Sequence, residues 1–225
     1  MSEYNEKTIE MYKSGGALEY LQHGQIDPET EKWNRLFAYI DSQLQGNKRK
    51  TIVEFGSGGG QLAIMLQSAG YDITATDVVD DFLNNQRNIG INKVKKYNFL
   101  LDDYDKVFGC KADLIISWRN PHLDMDDMRK LFDVAYNGLN DDGMLIINFQ
   151  NAEVHPNASM LANGTKFEYK ILEDKKTTGK RFYAYFTKDD IDFLRKDLFD
   201  IEEYHNEGGT EQKNWYVLTL KKISK

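Results

Sequence analysis

The sequence predicts an α/β protein built on a mostly parallel sheet with helices on both faces. Three observations predict it. From residue 51 onward, short apolar runs alternate with amphipathic stretches in a βαβα rhythm, the pattern of doubly wound parallel sheets. Near the end, two apolar runs flank Gly208-Gly209, the mark of a hairpin, so one terminal strand must be antiparallel. Between Gln150 and Phe186 lies a polar stretch too long for a βα connection; loops of this length tend to carry function.

Residues 1–50 read as a polar helical cap, with a turn at Gly15-Gly16. Asp27-Pro28 starts a helix, proline being tolerated in the first turn. Trp33, Leu36, Phe37, Ile40 and Leu44 continue it at helical spacing. Strands are expected over Thr51–Phe55, Tyr71–Thr76, Lys95–Leu101, Ala112–Ser117 and Gly143–Phe149. Helices are expected over Gln61–Ser68, Asp80–Asn88 and Met125–Leu139. Thr187 caps a last helix through Ile191 and Leu194, before strands at Phe199–Tyr204 and Trp215–Leu220. The organisation is therefore one domain: a cap (1–50), a core (51–149 and 187–221) and a substrate-side insertion (150–186).

At 225 residues the chain suits one α/β domain. Its net charge of -7 disfavours nucleic acid, whose phosphates attract basic surfaces. The lysine-rich clusters Lys48–Lys50 and Lys93–Lys96 read as solvated loop charge. A single cysteine, Cys110, excludes an intrachain disulfide. The first sixteen residues lack the apolar core of a secretion signal. No apolar run nears the roughly 20 residues that span a bilayer. A cytoplasmic location without membrane contact is expected.

The sharpest motif is Val53-Glu54-Phe55-Gly56-Ser57-Gly58-Gly59-Gly60, between a strand and a helix. Glycine lets such a turn bend without a Cβ clash and lets a ligand approach the backbone amides. Asp77 follows Gly56 by 21 residues, at the end of the second strand. A carboxylate there can accept bonds from ribose hydroxyls, each worth about 1.5–3 kcal/mol, or cap the helix beginning at Asp80.

On these residues the chain resembles the class I methyltransferases that use S-adenosylmethionine (SAM), over about residues 50–221. Glu54, Gly56, Gly58 and Gly60 match the family's acidic residue and G-x-G-x-G; Ser57 lies inside the run. Asp77 matches the ribose-binding acid, and Val78 the residue flanking adenine. Asp102, or its neighbour Asp103, matches the acid near the adenine amino group. Ala112-Asp113-Leu114-Ile115-Ile116-Ser117 resembles the fourth strand, placing Ser117 at the cofactor. Leu139-Asn140-Asp141-Asp142-Gly143 stands for the turn before the fifth strand, with an Asp pair replacing Pro-Gly. The resemblance implies seven strands in the order 3-2-1-4-5-7-6, the last antiparallel, and SAM as cofactor. A nicotinamide-binding fold is the rival; it requires glycine where Gln61 stands. An acidic rim of Glu54, Asp77 and Asp102 suits the cationic amino and sulfonium groups of SAM rather than a pyrophosphate.

In this fold the segment Ser117-Trp118-Arg119-Asn120-Pro121-His122 falls beside the transferable methyl. His122 is the candidate general base, since imidazole titrates near neutrality; a surface histidine is the alternative. Arg119 can bind a carboxylate or phosphate through two parallel bonds, or form a surface ion pair. Asn120-Pro121 faintly resembles the Asn-Pro-Pro-aromatic motif of amino-group methyltransferases. Trp118, Arg119, His155 and Tyr183 are the candidate substrate contacts, while His23 and His205 read as surface or structural. Tyr183 and Tyr185 share one face of a strand, lining the acceptor site or packing. Tyr12, Tyr20 and Trp33 can close over the cofactor or simply pack. No clustered metal ligands are visible. The expected activity is methyl transfer to oxygen or nitrogen of a small-molecule acceptor. A protein- or RNA-directed enzyme and a non-catalytic SAM-binding protein are the alternatives, and a homodimer is left open.

Overall fold

A computed structural model describes residues 1–24, 30–120, 122–174, 177–207 and 215–224. The expected helix start at Asp27-Pro28, the Gly208-Gly209 loop and Pro121 lie outside the described residues, as do the side chains of His23, Arg181 and His205.

The cap begins with α1 (Glu3–Met11), a π-helical turn (Tyr12–Gly16) and α2 (Ala17–Gly24), followed by α3 (Thr30–Gln43). The turn at the glycine pair is a kink: Ser14 and Gly15 leave helical geometry, Gly15 with φ 115°. Alternating strands and helices follow: β1 (Thr51–Phe55), α4 (Gln61–Ser68), β2 (Asp72–Asp77), α5 (Asp80–Asn88) and β3 (Val94–Lys96). Next come α6 (Tyr104–Phe108), β4 (Ala112–Ser117), α7 (Met125–Gly138) and β5 (Leu139–Gln150).

After β5 the chain leaves the main sheet for a second one: β6 (Ser159–Met160), β7 (Lys166–Asp174) and β8 (Thr177–Tyr185), all antiparallel. It returns through α8 (Lys188–Arg195), β9 (Phe199–Glu207) and β10 (Trp215–Lys222). The seven-stranded sheet has the order β3-β2-β1-β4-β5-β10-β9. β10 runs antiparallel to both its neighbours, and the pairs from β3 through β5 are parallel. This is the order and polarity that the family resemblance implied.

Alternation along the strands builds a core on each face. Leu114 and Ile116 of β4 pack on one side with Leu36 and Ile40 of α3 and Leu62 and Leu66 of α4. Ile115 between them packs on the other side with Leu131 and Phe132 of α7. Successive strand residues face opposite ways, so Glu54 shares the side of Ile52.

Three elements differ from expectation. The third strand ends at Lys96 instead of reaching Leu101. There Asp102 Oδ2 accepts the Asn98 N–H at 2.7 Å and Asn98 Oδ1 accepts the Leu100 N–H at 3.0 Å. Short polar side chains that bond nearby backbone compete with a strand ladder. The helix α6 was unexpected; Asp103 caps it by accepting the Lys106 N–H at 3.2 Å. Within the polar stretch 150–186 the strand carrying Tyr183 and Tyr185 is present as expected, and it belongs to a small sheet with two further strands that were not expected. The sheet is tied to the core where the Phe186 N–H donates to the Gln150 carbonyl, where the Phe186 carbonyl accepts the Ala152 N–H, and where Thr165 Oγ1 accepts the Met125 N–H.

Candidate active site

The turn after β1 crosses from strand to helix with Gly56, Gly58 and Gly60 at φ 65°, 52° and 85°, the left-handed region that only glycine enters freely. At Gly56 the need is doubled. A Cβ there would stand 2.6 Å from Asn120 Oδ1.

Side chains from β2, α5 and the β4 end hold this turn. The Asp77 carboxylate accepts the Gly58 N–H on one oxygen and the Val78 and Val79 N–H groups on the other, at 2.8–3.0 Å. It therefore joins the glycine turn to the start of α5. Gln86 donates to Ser57 Oγ and the Gly58 carbonyl, and Asn85 to the Gly59 carbonyl. Asn120 donates to the Phe55 carbonyl and to Ser117 Oγ. Arg119, beside it, has φ 58°, and its N–H is pinned to Asn148 Oδ1 at 2.7 Å. A non-glycine residue in this region carries backbone strain, held here by that bond.

These residues bound a cavity open to solvent. It lies at the carboxyl edge of β1, β2 and β4, where α/β sheets bind ligands. Its floor is Glu54, Gly56, Ser57, Gly58 and Asp77. Val78, Val79, Phe82, Tyr97, Asn98 and Phe99 form one end, and Trp118, Arg119, Asn120 and His122 the other. Asn5, Thr8 and Ile9 of α1, with Tyr12, Tyr20 and Trp33, complete the wall.

Two buried carboxyl groups set the electrostatics. Glu54 is 3% exposed and its Oε2 has no hydrogen-bond partner. Burial, then the nearby Asp77 charge, pushes its pKa up to about 8. Burial raises Asp77 as well, opposed by the N–H groups of Val79, Gly58 and Val78. An acid with an unpartnered buried oxygen at a cavity wall is a seat for a cation. Among the described residues no group of three or more His, Cys, Asp or Glu can hold a metal ion, and no helix is long and apolar enough to cross a membrane.

The same architecture occurs in solved structures. A SAM-dependent methyltransferase from Clostridium acetobutylicum superposes with a TM-score of 0.66 at 15% identity, covering 94% of this chain and 99% of that one. A magnesium protoporphyrin IX methyltransferase from Synechocystis, solved with SAM, gives 0.69 at 13% identity over 99% and 98% of the two chains. The fold is that of the class I SAM-dependent methyltransferases. A glycopeptide N-methyltransferase bound to S-adenosylhomocysteine shares this methyltransferase fold, with a TM-score of 0.65 at 12% identity over 88% and 91%. An uncharacterised methyltransferase of Staphylococcus carnosus is 23% identical over 170 residues, 71% of this chain and 77% of that protein. No family model matches the chain.

Within the methyltransferase fold, the cavity brings together Glu54, Gly56, Ser57, Gly58, Asp77, Val78, Trp118, Arg119 and His122 from the expected residues. Gly60 lies behind the turn at the start of α4, and Ser117 meets the site through Asn120. Asp102 and Asp103 are exposed and do not line the cavity; the first bonds Asn98, which does. His155 and Tyr183 do not line it either. His155 stacks on Tyr185 with ring centroids 3.9 Å apart, and Tyr185 donates to Glu168 at 3.0 Å. Tyr183 stands opposite Glu168 in the β7–β8 pairing.

The cavity also holds residues the sequence did not single out: Asn5, Thr8 and Ile9 of α1, and Tyr97, Asn98 and Phe99 after β3. The second group carried a readable signal, because a segment leaving the carboxyl end of a parallel strand borders the site. The first had none.

Proposed function

We propose that this chain is a SAM-dependent methyltransferase acting on an oxygen or nitrogen of a small-molecule acceptor. The observation that carries the reading is the buried, unpartnered Glu54 carboxyl beside Asp77 under a glycine turn. That donor set fits SAM, whose amino group is cationic and whose ribose offers two hydroxyls. The fold, shared with enzymes solved with SAM or its demethylated product, supports it. A small acceptor is favoured because α1 and the residues after it roof the cavity, Tyr12 and Tyr20 packing on Phe82.

When bound, SAM supplies a methyl group already activated on a sulfonium. The chain then has to bind, orient and exclude water. Glu54 would take the amino group. Asp77 would take the ribose hydroxyls on lone pairs its backbone bonds leave open. Gly56, Ser57, Gly58 and Gly60 form the turn against the amino-acid tail, with Ser117 behind it. Val78, Phe82, Tyr97 and Phe99 would enclose the adenine. Asn98 would meet its polar edge, supported by Asp102; Asp103 caps α6 alongside. His122 would remove the acceptor's proton, onto an imidazole nitrogen, as the acceptor attacks. Fixing reactants in line can contribute up to about 7–11 kcal/mol. Trp118 and Arg119 would hold the acceptor. His155 and Tyr183 would contact only an acceptor reaching beyond the cavity.

The test is calorimetric titration of the purified chain with SAM and with a nicotinamide dinucleotide, then incubation with methyl-labelled SAM and a metabolite panel. Binding of SAM alone and a labelled small product are expected. Preference for the dinucleotide, or label entering only protein or RNA, would overturn the reading.

A further inference from the structure

The turn after β1 has four glycines among the five residues Gly56–Gly60, and glycine loses more conformational freedom on ordering than any other residue. Bonds from outside must therefore hold its shape, and α5 supplies them. Gln86 is fully buried, and its amide nitrogen donates to Ser57 Oγ at 2.9 Å and to the Gly58 carbonyl at 2.7 Å. Asn85, one residue earlier, donates to the Gly59 carbonyl at 2.9 Å. Gly58 is thus gripped at both ends, its carbonyl by Gln86 and its N–H by Asp77 Oδ2 at 2.9 Å.

The Gln86 amide fits only this way round. The Gly58 carbonyl can only accept, and the Ser57 hydroxyl commits its proton to the Thr76 carbonyl at 2.9 Å, so both partners require the nitrogen. The other end of the amide is unfavourable. Gln86 Oε1 is buried without a hydrogen-bond partner, which carries a desolvation penalty. An apolar side chain of the same length would pack better, so the value of a glutamine here lies in its two donor bonds. Those bonds end on Ser57 and Gly58, which line the cavity, while Gln86 and Asn85 stand behind them.

Resting on the methyltransferase reading, we propose that Gln86, assisted by Asn85, is a positioning residue for the cofactor: it fixes the glycine turn in its binding shape before the amino-acid tail of SAM arrives. A turn ordered in advance does not have to be ordered by the ligand, and the difference appears as affinity. The effect falls on the tail, against which the turn lies. The adenosine is held elsewhere, since Asp77 keeps its bonds to the Val78 and Val79 N–H groups without Gln86.

The test titrates the full chain calorimetrically with S-adenosylhomocysteine, which has the tail, and with methylthioadenosine, which lacks it and is taken to millimolar concentration. Gln86→Met keeps the length and volume of the side chain and removes both donor bonds. It is expected to weaken S-adenosylhomocysteine at least tenfold and methylthioadenosine less than threefold. Asn85→Ala removes one bond at a half-buried helix position. It should weaken S-adenosylhomocysteine about threefold and leave methylthioadenosine unchanged, and it decides the matter if Gln86→Met does not fold. Melting temperatures of the ligand-free variants are read alongside. Equal losses of the two ligands overturn the proposal. So does a lowered melting temperature with both affinities unchanged, which would make Gln86 a packing residue alone. Failure of the wild-type chain to bind S-adenosylhomocysteine instead removes the methyltransferase reading itself.

Discussion

Asn120 occupies the space that a side chain on Gly56 would need: its Oδ1 stands 2.6 Å from the position of that missing Cβ. The same amide donates to the Phe55 carbonyl and to Ser117 Oγ. The glycine turn after β1 and the segment after β4 are thereby one unit, and the two ends of the cavity share a wall.

Gly56→Ala is expected to weaken SAM binding roughly tenfold or more, since a left-handed alanine costs about 1–2 kcal/mol and the methyl also displaces Asn120. Adding Asn120→Ala should recover only the steric part, because the φ of 65° remains. Calorimetric titration of both variants measures this; equal affinity of Gly56→Ala and wild type would refute it.

Asp77→Ala should weaken SAM by at least about 1.5 kcal/mol, the low end for one hydrogen bond to a charged group. It should also loosen the glycine turn, because the carboxylate holds the Gly58, Val78 and Val79 N–H groups. Asp77→Asn, which keeps one acceptor oxygen, should lose less. Affinity unchanged in Asp77→Ala would remove this residue from the site.

The stability of the ligand-free chain should depend on pH through Glu54. Its carboxyl holds a proton to about pH 8 when folded, against an ordinary value of 4.5. Between those values the folded state binds more protons than the unfolded state, so stability falls as pH rises from 4.5 through about 8. Glu54→Gln should flatten that part of a melting-temperature profile. Binding of cationic SAM to wild type in this window should release a proton, seen as a binding enthalpy that changes with the buffer's ionisation enthalpy.

The roof should open when its anchor is cut. Asp127 of α7 is 1% exposed and accepts the Ser2 N–H on both oxygens, at 3.0 and 2.9 Å, and the Ser2 hydroxyl at 2.7 Å. Asp127→Ala leaves these donors without that partner, at a cost of about 1–3 kcal/mol. Amide exchange should quicken across α1, with little change in β1, β4 and β5. SAM should dissociate faster. Uniformly faster exchange through the sheet would mean that the bond supports the whole fold instead.

Thr187→Ala should lower stability by about 1 kcal/mol without touching the cavity. Thr187 and Asp190 form a reciprocal cap at the start of α8, and thermal melting reads its loss.

Several parts of this molecule were legible because their cause is local. Short apolar runs in a βαβα rhythm gave the strands, and Thr187 announced α8. The glycine turn and Asp77 were readable because each backbone constraint leaves a residue type at a fixed spacing. The third strand was overestimated, because the Asp102 carboxylate accepts the Asn98 N–H and the Asn98 amide oxygen accepts the Leu100 N–H, which ends the ladder early. Of the small sheet after β5 only the strand carrying Tyr183 and Tyr185 was legible, because the sheet's aromatic residues meet a helix at the other end of the chain. Tyr4 of α1 stacks on Phe182 of β8 with centroids 4.6 Å apart.

By itself the sequence determined the alternation of strands and helices and the acidic, glycine-lined turn after β1, while the order of the strands came from the resemblance to a known family. The first two follow from the conformations that neighbouring residues permit. Tertiary structure alone decided that α1 roofs the cavity, that Asn98 rather than Asp102 lines it, that Asn120 props the turn, and that Glu54 Oε2 is left without a partner. Each depends on side chains distant in sequence meeting in space, where burial and the count of available donors, not local spacing, set the outcome.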